Sequence, residues 1–465
     1  MTDLDIGRAW LVDPVAGREG PGEIVVRDGI LEAVTWLDGT DADGIDATGV
    51  VVAPGFIDLH AHLREPGNED AETIASGLAA AAHGGFTTVC AMPNTTPALD
   101  EPGVLARIRA AAVASGSPVE LLAIGAVTTG RAGETLAAIG ELADAGAVGF
   151  SDDGAPVRSA AILRNALAYA GALGLPIIDH PEDPTLTDGA EANEGLVATI
   201  LGLRGWPGAA ESGAVARAIA ILDGVVADVP GARLHLTHVS TAASLELIRD
   251  AKARDLPVTC DVTPHHLALT DEWVAGARRW SWDALDVDGA ARDPWADGAL
   301  DGAPYSTSTR VNPPRRPGRA AAACLVALLD GTADAVATDH APHTEVDKAV
   351  EFGSAANGIS GIETALGLLL ELVDAGHLPL SRAVEVLTVG PARILGARSR
   401  RSEAVGLVEG AAADLVVFDR SERWTVGPEA LLSRGKNSPL LGVELPGRVL
   451  LTMAGGRVAY EAPDA

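Results

Sequence analysis

Two histidines one residue apart, His60 and His62, close the apolar run in "PGFIDLHAHLREPG" and are followed by Arg64 and a Pro-Gly break. Strand residues alternate faces, so both imidazoles point the same way and either meet solvent or share a ligand. The pattern repeats along the chain. Asn94 ends "VCAMPNT", Asp152 and Asp153 follow the run in "GFSDDG", and His180 ends the run in "PIIDHPED". His235 and His238 lie in "LHLTHVS", and Asp339, His340 and His343 in "VATDHAPH". Singly, each reads as a satisfied structural histidine or a turn aspartate. As a set, imidazole and carboxylate suit zinc, which in catalytic sites keeps a position open for water and lowers that water's pKa.

Two metals would need a bridging anion. The chain has three lysines, Lys252, Lys348 and Lys436, all beyond the sixth candidate strand. A carbamylated lysine therefore cannot bridge from the third or fourth strand, which leaves Asp153 or Asp152. Parity narrows the rest: of His235 and His238, three residues apart, one faces the site, and Asp339 and His340 are opposed. His83 on a helical stretch and His377 in a loop read as bystanders.

Such a set works only if remote strand ends meet. Eight short apolar runs (54–62, 86–93, 119–127, 147–152, 176–180, 233–239, 257–263 and 335–339) alternate with Ala/Leu-rich helical stretches such as "ETIASGLAAAAHGG" and "SLELIRDAKARD". That alternation predicts an α/β fold, a (β/α)8 TIM-type barrel whose C-terminal strand ends carry the site. A doubly wound sheet is disfavoured because no Gly-x-Gly-x-x-Gly turn follows an early strand. Both chain ends read as short strands with turns, including a Gly-Gly hairpin near the C-terminus. A small β-sandwich domain is expected from 1–52 together with 400–465, with 53–399 the metal-dependent barrel. Residues 271–310, rich in Trp, Asp and Gly, read as an excursion between strands seven and eight, serving as a lid or an interface.

The 465 residues are 47% hydrophobic and only 3% aromatic, which suits a layered α/β core. A formal charge of −30 repels phosphate backbones and anionic membranes, so neither nucleic acid nor membrane is an expected partner. Cys90, Cys260 and Cys324 form no metal or disulfide pattern and read as small buried hydrophobes. No apolar stretch is long enough to span a bilayer and "MTDLDIGRAW" lacks a basic leader, so a cytoplasmic protein is expected.

The segments "PGFIDLHAHLREPG", "GGFTTVCAMPNTTPALD", "FSDDGAPV", "VTPHHLALT", "VNPPRR", "ATDHAPHTEVDK", "GISGIETAL" and "GKNSPLLG" together resemble type I bacterial dihydroorotase of the amidohydrolase superfamily, from about residue 50 to about residue 440. The resemblance implies reversible zinc-dependent hydrolysis of (S)-dihydroorotate to N-carbamoyl-L-aspartate in de novo pyrimidine synthesis, with one or two zinc ions per subunit, two being expected. It further implies that His60 and His62 hold one metal with Asp339, that His180 and His238 hold the second, and that Asp153 bridges. Asp339 would also be the general base. Arg64, Asn94 and His343 would meet the substrate carboxylate, and Asn312 and the Asn357-Gly358 backbone the ring, with His62 also touching substrate. A homo-oligomer and a complex with aspartate transcarbamoylase are the partners it leaves open. "HPED" and "VNPPRR" depart from the more usual "HCED" and "MNPPLR", and the Trp-rich excursion has no counterpart, but no ligand position is lost. Hydantoinase and allantoinase share the His-x-His strand but typically bridge metals through a carbamylated lysine. A non-catalytic scaffold for the transcarbamoylase would be expected to have lost ligands, and here all six positions are filled.

Overall fold

The computed structural model describes residues 3–285, 293–295, 298, 300, 302–399 and 405–463. Its centre is a closed ring of eight parallel strand segments. Phe56–Ala61, Phe86–Ala91 and Glu120–Ala123 pair in order, as do Pro176–Asp179, Arg233–Leu236, Val258–Val262 and Ala335–Val336. Phe150 splices the two groups through parallel bridges to Gly125 and Ile177, and a bridge from Ala61 to His340 closes the ring. All eight runs expected from the sequence are strand segments of this (β/α)8 barrel, the fourth as a single bridging residue.

The barrel interior is filled by Ile57, Leu59, Cys90, Met92, Leu122, Ile124, Val148 and Ile178, with Ile394 and Leu395 of the helix Val389–Leu395 in the same cluster. Outside, Phe56, Phe86 and Phe150 pack beneath the helices, Phe56 and Phe86 edge to face at 5.7 Å. The three cysteines are buried and free. Strict alternation would send Ile57, Leu59 and Ala61 inward and both histidines outward. The ladder to the second strand shifts register between Asp58 and Ala61, and this irregularity exchanges the faces so that His60 and His62 reach the mouth.

Strands from both chain ends form one seven-stranded sheet in the order Arg457–Glu461, Glu444–Ala454, Leu415–Thr425, Val50–Pro54, Leu4–Asp13, Arg18–Arg27, Ile30–Trp36. Alternate residues serve two cores: Leu11, Val52 and Val417 join the small domain's cluster, while Val12, Val51 and Phe418 pack onto the barrel layer. Gly455 and Gly456, both at positive φ, make the last hairpin turn.

The excursion lies partly outside the described residues (286–292, 296, 297, 299 and 301). From 271 to 285 it is packed down: Trp273 is buried with Leu269, Leu431 and Leu440, and Trp280 stacks on Trp282 at 5.6 Å. Among the described residues no helix is long and apolar enough to cross a membrane.

One buried ion pair ties a helix to the site. Glu211, on the helix Ala209–Val226, accepts from the backbone of Ser240 and Thr241 just after His238 and pairs with Arg316 Nη2 at 3.5 Å. Removing one partner strands a buried charge. Glu211→Ala should therefore lower unfolding free energy by about 3–5 kcal/mol, read from urea denaturation midpoints.

Candidate active site

Six side chains converge at the C-terminal mouth of the barrel, all buried: His60, His62, Asp153, His180, His238 and Asp339. Asp153 lies between two histidine pairs. Its Oδ2 is 3.4 Å from His60 Nε2 and 3.5 Å from His62 Nε2, and its Oδ1 is 3.3 Å from His180 Nδ1 and 3.4 Å from His238 Nε2. Asp339 Oδ1 faces the first pair, 3.2 Å from His62 Nε2 and 3.6 Å from His60 Nε2. Asp152 turns away and accepts from the backbone of Val127 and Thr128 at 2.9 and 3.0 Å. Of the two adjacent aspartates, Asp153 is the one at the site.

The backbone is strained where these groups are presented. Arg64, His238 and Asp339 all have positive φ, at 61°, 42° and 49°, the left-handed region that side chains rarely occupy. That departure from strand geometry lets His238 face the mouth while His235 turns to Asp261 Oδ2 at 2.8 Å. It likewise parts Asp339 from His340, whose Nδ1 accepts from the backbone N–H of Gly361 and whose Nε2 lies 3.4 Å from Glu72 Oε2.

Tautomers follow from outer partners. His60 Nδ1 donates to Thr237 Oγ1 at 2.7 Å, His62 Nδ1 to Asn94 Oδ1 at 2.8 Å, and His180 Nε2 to Glu182 Oε2 at 2.9 Å. Each bond leaves the opposite ring nitrogen as a lone-pair donor aimed inward. His60 Nε2 is buried without a hydrogen-bond partner, and His180 Nδ1 and His238 Nε2 are only 2.9 Å apart. Two lone pairs at that separation repel unless a cation or proton lies between them. Burial opposes charge on these rings, but Asp153, joined by Glu182 at His180, outweighs it and raises His60 to about 9 and His180 to about 10. Asp153 and Asp339 are held below the usual carboxylate range: burial works against this, and the facing histidines prevail. The cluster thus demands positive charge. Its donor atoms gather into two overlapping sets, His60–His62–Asp339 and His60–Asp153–His238, within reach of a metal ion. The residues fit a metal cofactor.

Thr237 in turn lies 3.3 Å from Asp261 Oδ2. Thr237→Val keeps the shape and removes the acceptor that orients His60. It should weaken metal affinity about 10–100-fold, measured by chelator competition.

The remaining expected contacts ring the same mouth. Arg64 donates from Nε to Pro342 O at 3.0 Å and brings Nη2 to 3.2 Å from His343 Nε2, so Nη1 is the nitrogen left open among the described residues. Asn94 spends its carbonyl on His62, leaving its amide N–H groups. Asn312 donates to Glu182 Oε2 at 2.9 Å. Asn357 has a buried Oδ1 without a partner, while its backbone oxygen accepts from His343 at 2.8 Å. The Gly358 N–H is already bonded to Arg310 O. At φ +136°, a Cβ there would lie 2.6 Å from Ala341 Cβ and 3.1 Å from His343 Nε2, so only glycine fits. His83 bonds Glu363 and His377 packs on Trp282, both outside the cluster.

Sequence reasoning missed Glu182, Thr237 and Glu72. Glu182 sits two residues after His180 and Thr237 one before His238, so adjacency was a usable signal; nothing in the sequence pointed to Glu72.

The family profile described as dihydro-orotase-like matches residues 49–244. The chain is 46% identical over 468 residues to a dihydroorotase of Anaeromyxobacter dehalogenans strain 2CP-1, covering 100% of both chains. It is 44% identical over 453 residues to that of Pelotomaculum thermopropionicum, covering 97% of each. Among solved structures, the L-hydantoinase (dihydropyrimidinase) of Arthrobacter aurescens superposes with a TM-score of 0.78 at 26% identity, covering 99% of this chain and 96% of that one. A D-hydantoinase at 22% identity, with a TM-score of 0.75 over 99% and 95% of the two chains, shares the fold.

Proposed function

The chain belongs to the dihydroorotase family and is a hydrolase of a cyclic amide C–N bond, and from that premise we propose a two-zinc centre held by His60, His62, Asp153, His180, His238 and Asp339. The observation that carries this reading is Asp153, one carboxylate with each oxygen turned to a different histidine pair. It stands where a lysine carbamate would otherwise be needed, in a chain with no lysine before Lys252. When bound, the metal supplies Lewis acidity toward the amide carbonyl and an acidified water.

The chain's own residues do the rest. Asp339, ionised and within reach of His62, takes the proton of the attacking water and delivers it to the ring nitrogen as the C–N bond breaks. Arg64 offers its open Nη1, and Asn94 its amide, to the substrate carboxylate. His343, 3.2 Å from Arg64 Nη2, joins them at the carboxylate, and Asn312 and the Asn357-Gly358 segment border the ring. In the direction of closure the same aspartate accepts the amide proton of N-carbamoyl-L-aspartate.

Purified protein should open (S)-dihydroorotate, lose activity on chelation and regain it with zinc, with far slower turnover of hydantoin and allantoin. Preference for either of those substrates, or activity indifferent to chelation, would overturn the assignment. With this reading go a division into a barrel (53–399) and a small domain (1–52 with 400–465), de novo pyrimidine synthesis and a cytoplasmic location. Association with copies of itself or with an aspartate transcarbamoylase also belongs to it, and size-exclusion chromatography with and without that partner checks this last part.

A further inference from the structure

A cavity of about 420 Å³ shares His343 with the ring of expected substrate contacts and is lined also by Lys348, Arg434, Lys436, Asp70 and Glu345. Two of the chain's three lysines are here. Elsewhere cationic side chains commonly find carboxylates, as Arg249 does with Asp330 and Lys252 with Asp334. Among the described residues, by contrast, neither Lys348, Arg434, Lys436 nor the neighbouring Arg64 makes a salt bridge to any carboxylate.

Carbonyls hold the two lysines instead. Lys348 donates to Thr307 O and Ala356 O, and Lys436 to Leu431 O and Ser433 O. These bonds orient the ammonium groups without neutralising them. Among the described residues the exposed Arg434 guanidinium meets no side-chain partner, and the buried Arg315, close enough to act on Lys348, keeps Nε and Nη2 without partners. Burial, with Arg315, Arg310 and Arg64, pushes the Lys348 ammonium down to about 7, and Asp347 only partly offsets this. The lining therefore sets Arg434, Lys436 and a partly charged Lys348 against Asp70 and Glu345, with none of the three basic groups in a salt bridge among the described residues, and a local excess of base of this kind draws anions even in a chain of net charge −30.

We propose that this cavity is an outer anion site that takes a carboxylate or phosphate group at the approach to the catalytic centre and hands arriving carboxylate substrate to Arg64 past His343. The inference rests on the reading that the substrate is a carboxylate anion. It carries a sign that can be checked. The bulk charge of −30 repels an anionic substrate, so screening by salt would speed its capture; focusing at this mouth makes salt slow it.

The test uses the metal-loaded full chain, with inorganic phosphate as the probe. In wild type, kcat/KM for dihydroorotate should fall as sodium chloride is raised. Phosphate at constant ionic strength should raise KM without lowering kcat. Arg434→Ala should weaken both effects about two- to five-fold, the range for one exposed charge contact. Arg249→Ala, which removes the same charge from the barrel surface, should change neither. A kcat/KM that rises with salt in wild type, or phosphate inhibition unchanged in Arg434→Ala, overturns the proposal. Equilibrium dialysis of phosphate separates this inference from the proposed reaction. Binding lost in Arg434→Ala but kept in His60→Ala supports the outer site even without dihydroorotate turnover. The reverse pattern assigns phosphate to the metal centre and removes the outer site.

Discussion

Asp339→Asn is expected to lower turnover of dihydroorotate by about 10²–10⁴-fold, the contribution of a positioned general base. The amide fills the same volume and can still face His62, but it cannot accept a proton from water. The side chain is buried at the end of the eighth strand, held in a left-handed backbone conformation by its neighbours. His340 anchors that turn through Gly361 and Glu72, so the fold should survive the change. Circular dichroism and the thermal midpoint should match wild type while kcat collapses. Near-normal kcat in a folded variant would remove Asp339 from the proton transfer.

Asp153→Asn should have a different signature. Asp153 is the group that both histidine pairs share, and its charge is the main reason His60 and His180 attract protons when no metal is bound. Neutralising it should cost more than about 100-fold in metal affinity, beyond what loss of an outer partner costs, and activity should fall with metal content. The neighbouring Asp152→Asn gives the contrast. That carboxylate ties the fourth strand end to Val127 and Thr128, so its loss should destabilise the protein by about 1–3 kcal/mol and leave metal content intact. Metal analysis of the two purified variants side by side checks both expectations. Metal retained in Asp153→Asn at wild-type stoichiometry would contradict the bridging role.

How much of this was legible beforehand differs by residue. The barrel could be read because its interior residues, Ile57, Leu59, Ile178 and Val148 among them, sit in short apolar runs spaced by helices. The parity argument at the sixth strand chose between His235 and His238 only in general terms. The register shift after Asp58 and the positive φ at His238 and Asp339, which aim the ligands, leave no trace in composition or spacing. Asp152 and Asp153 could not be separated by residue type, since which one turns inward depends on the backbone N–H groups of Val127 and Thr128 beyond the neighbouring third strand. Glu72 was invisible because it reaches His340 from 268 residues away. The cations around His343 come from segments whose charges read, in one dimension, as ordinary surface.

The most direct test of the account is a crystal structure of the zinc-loaded protein with anomalous diffraction recorded at the zinc edge. Two peaks at the barrel mouth, one beside His60 and His62 and one beside His180 and His238, with an oxygen of Asp153 on each, are the expected result. A single peak, or a pair bridged by anything other than Asp153, would contradict it.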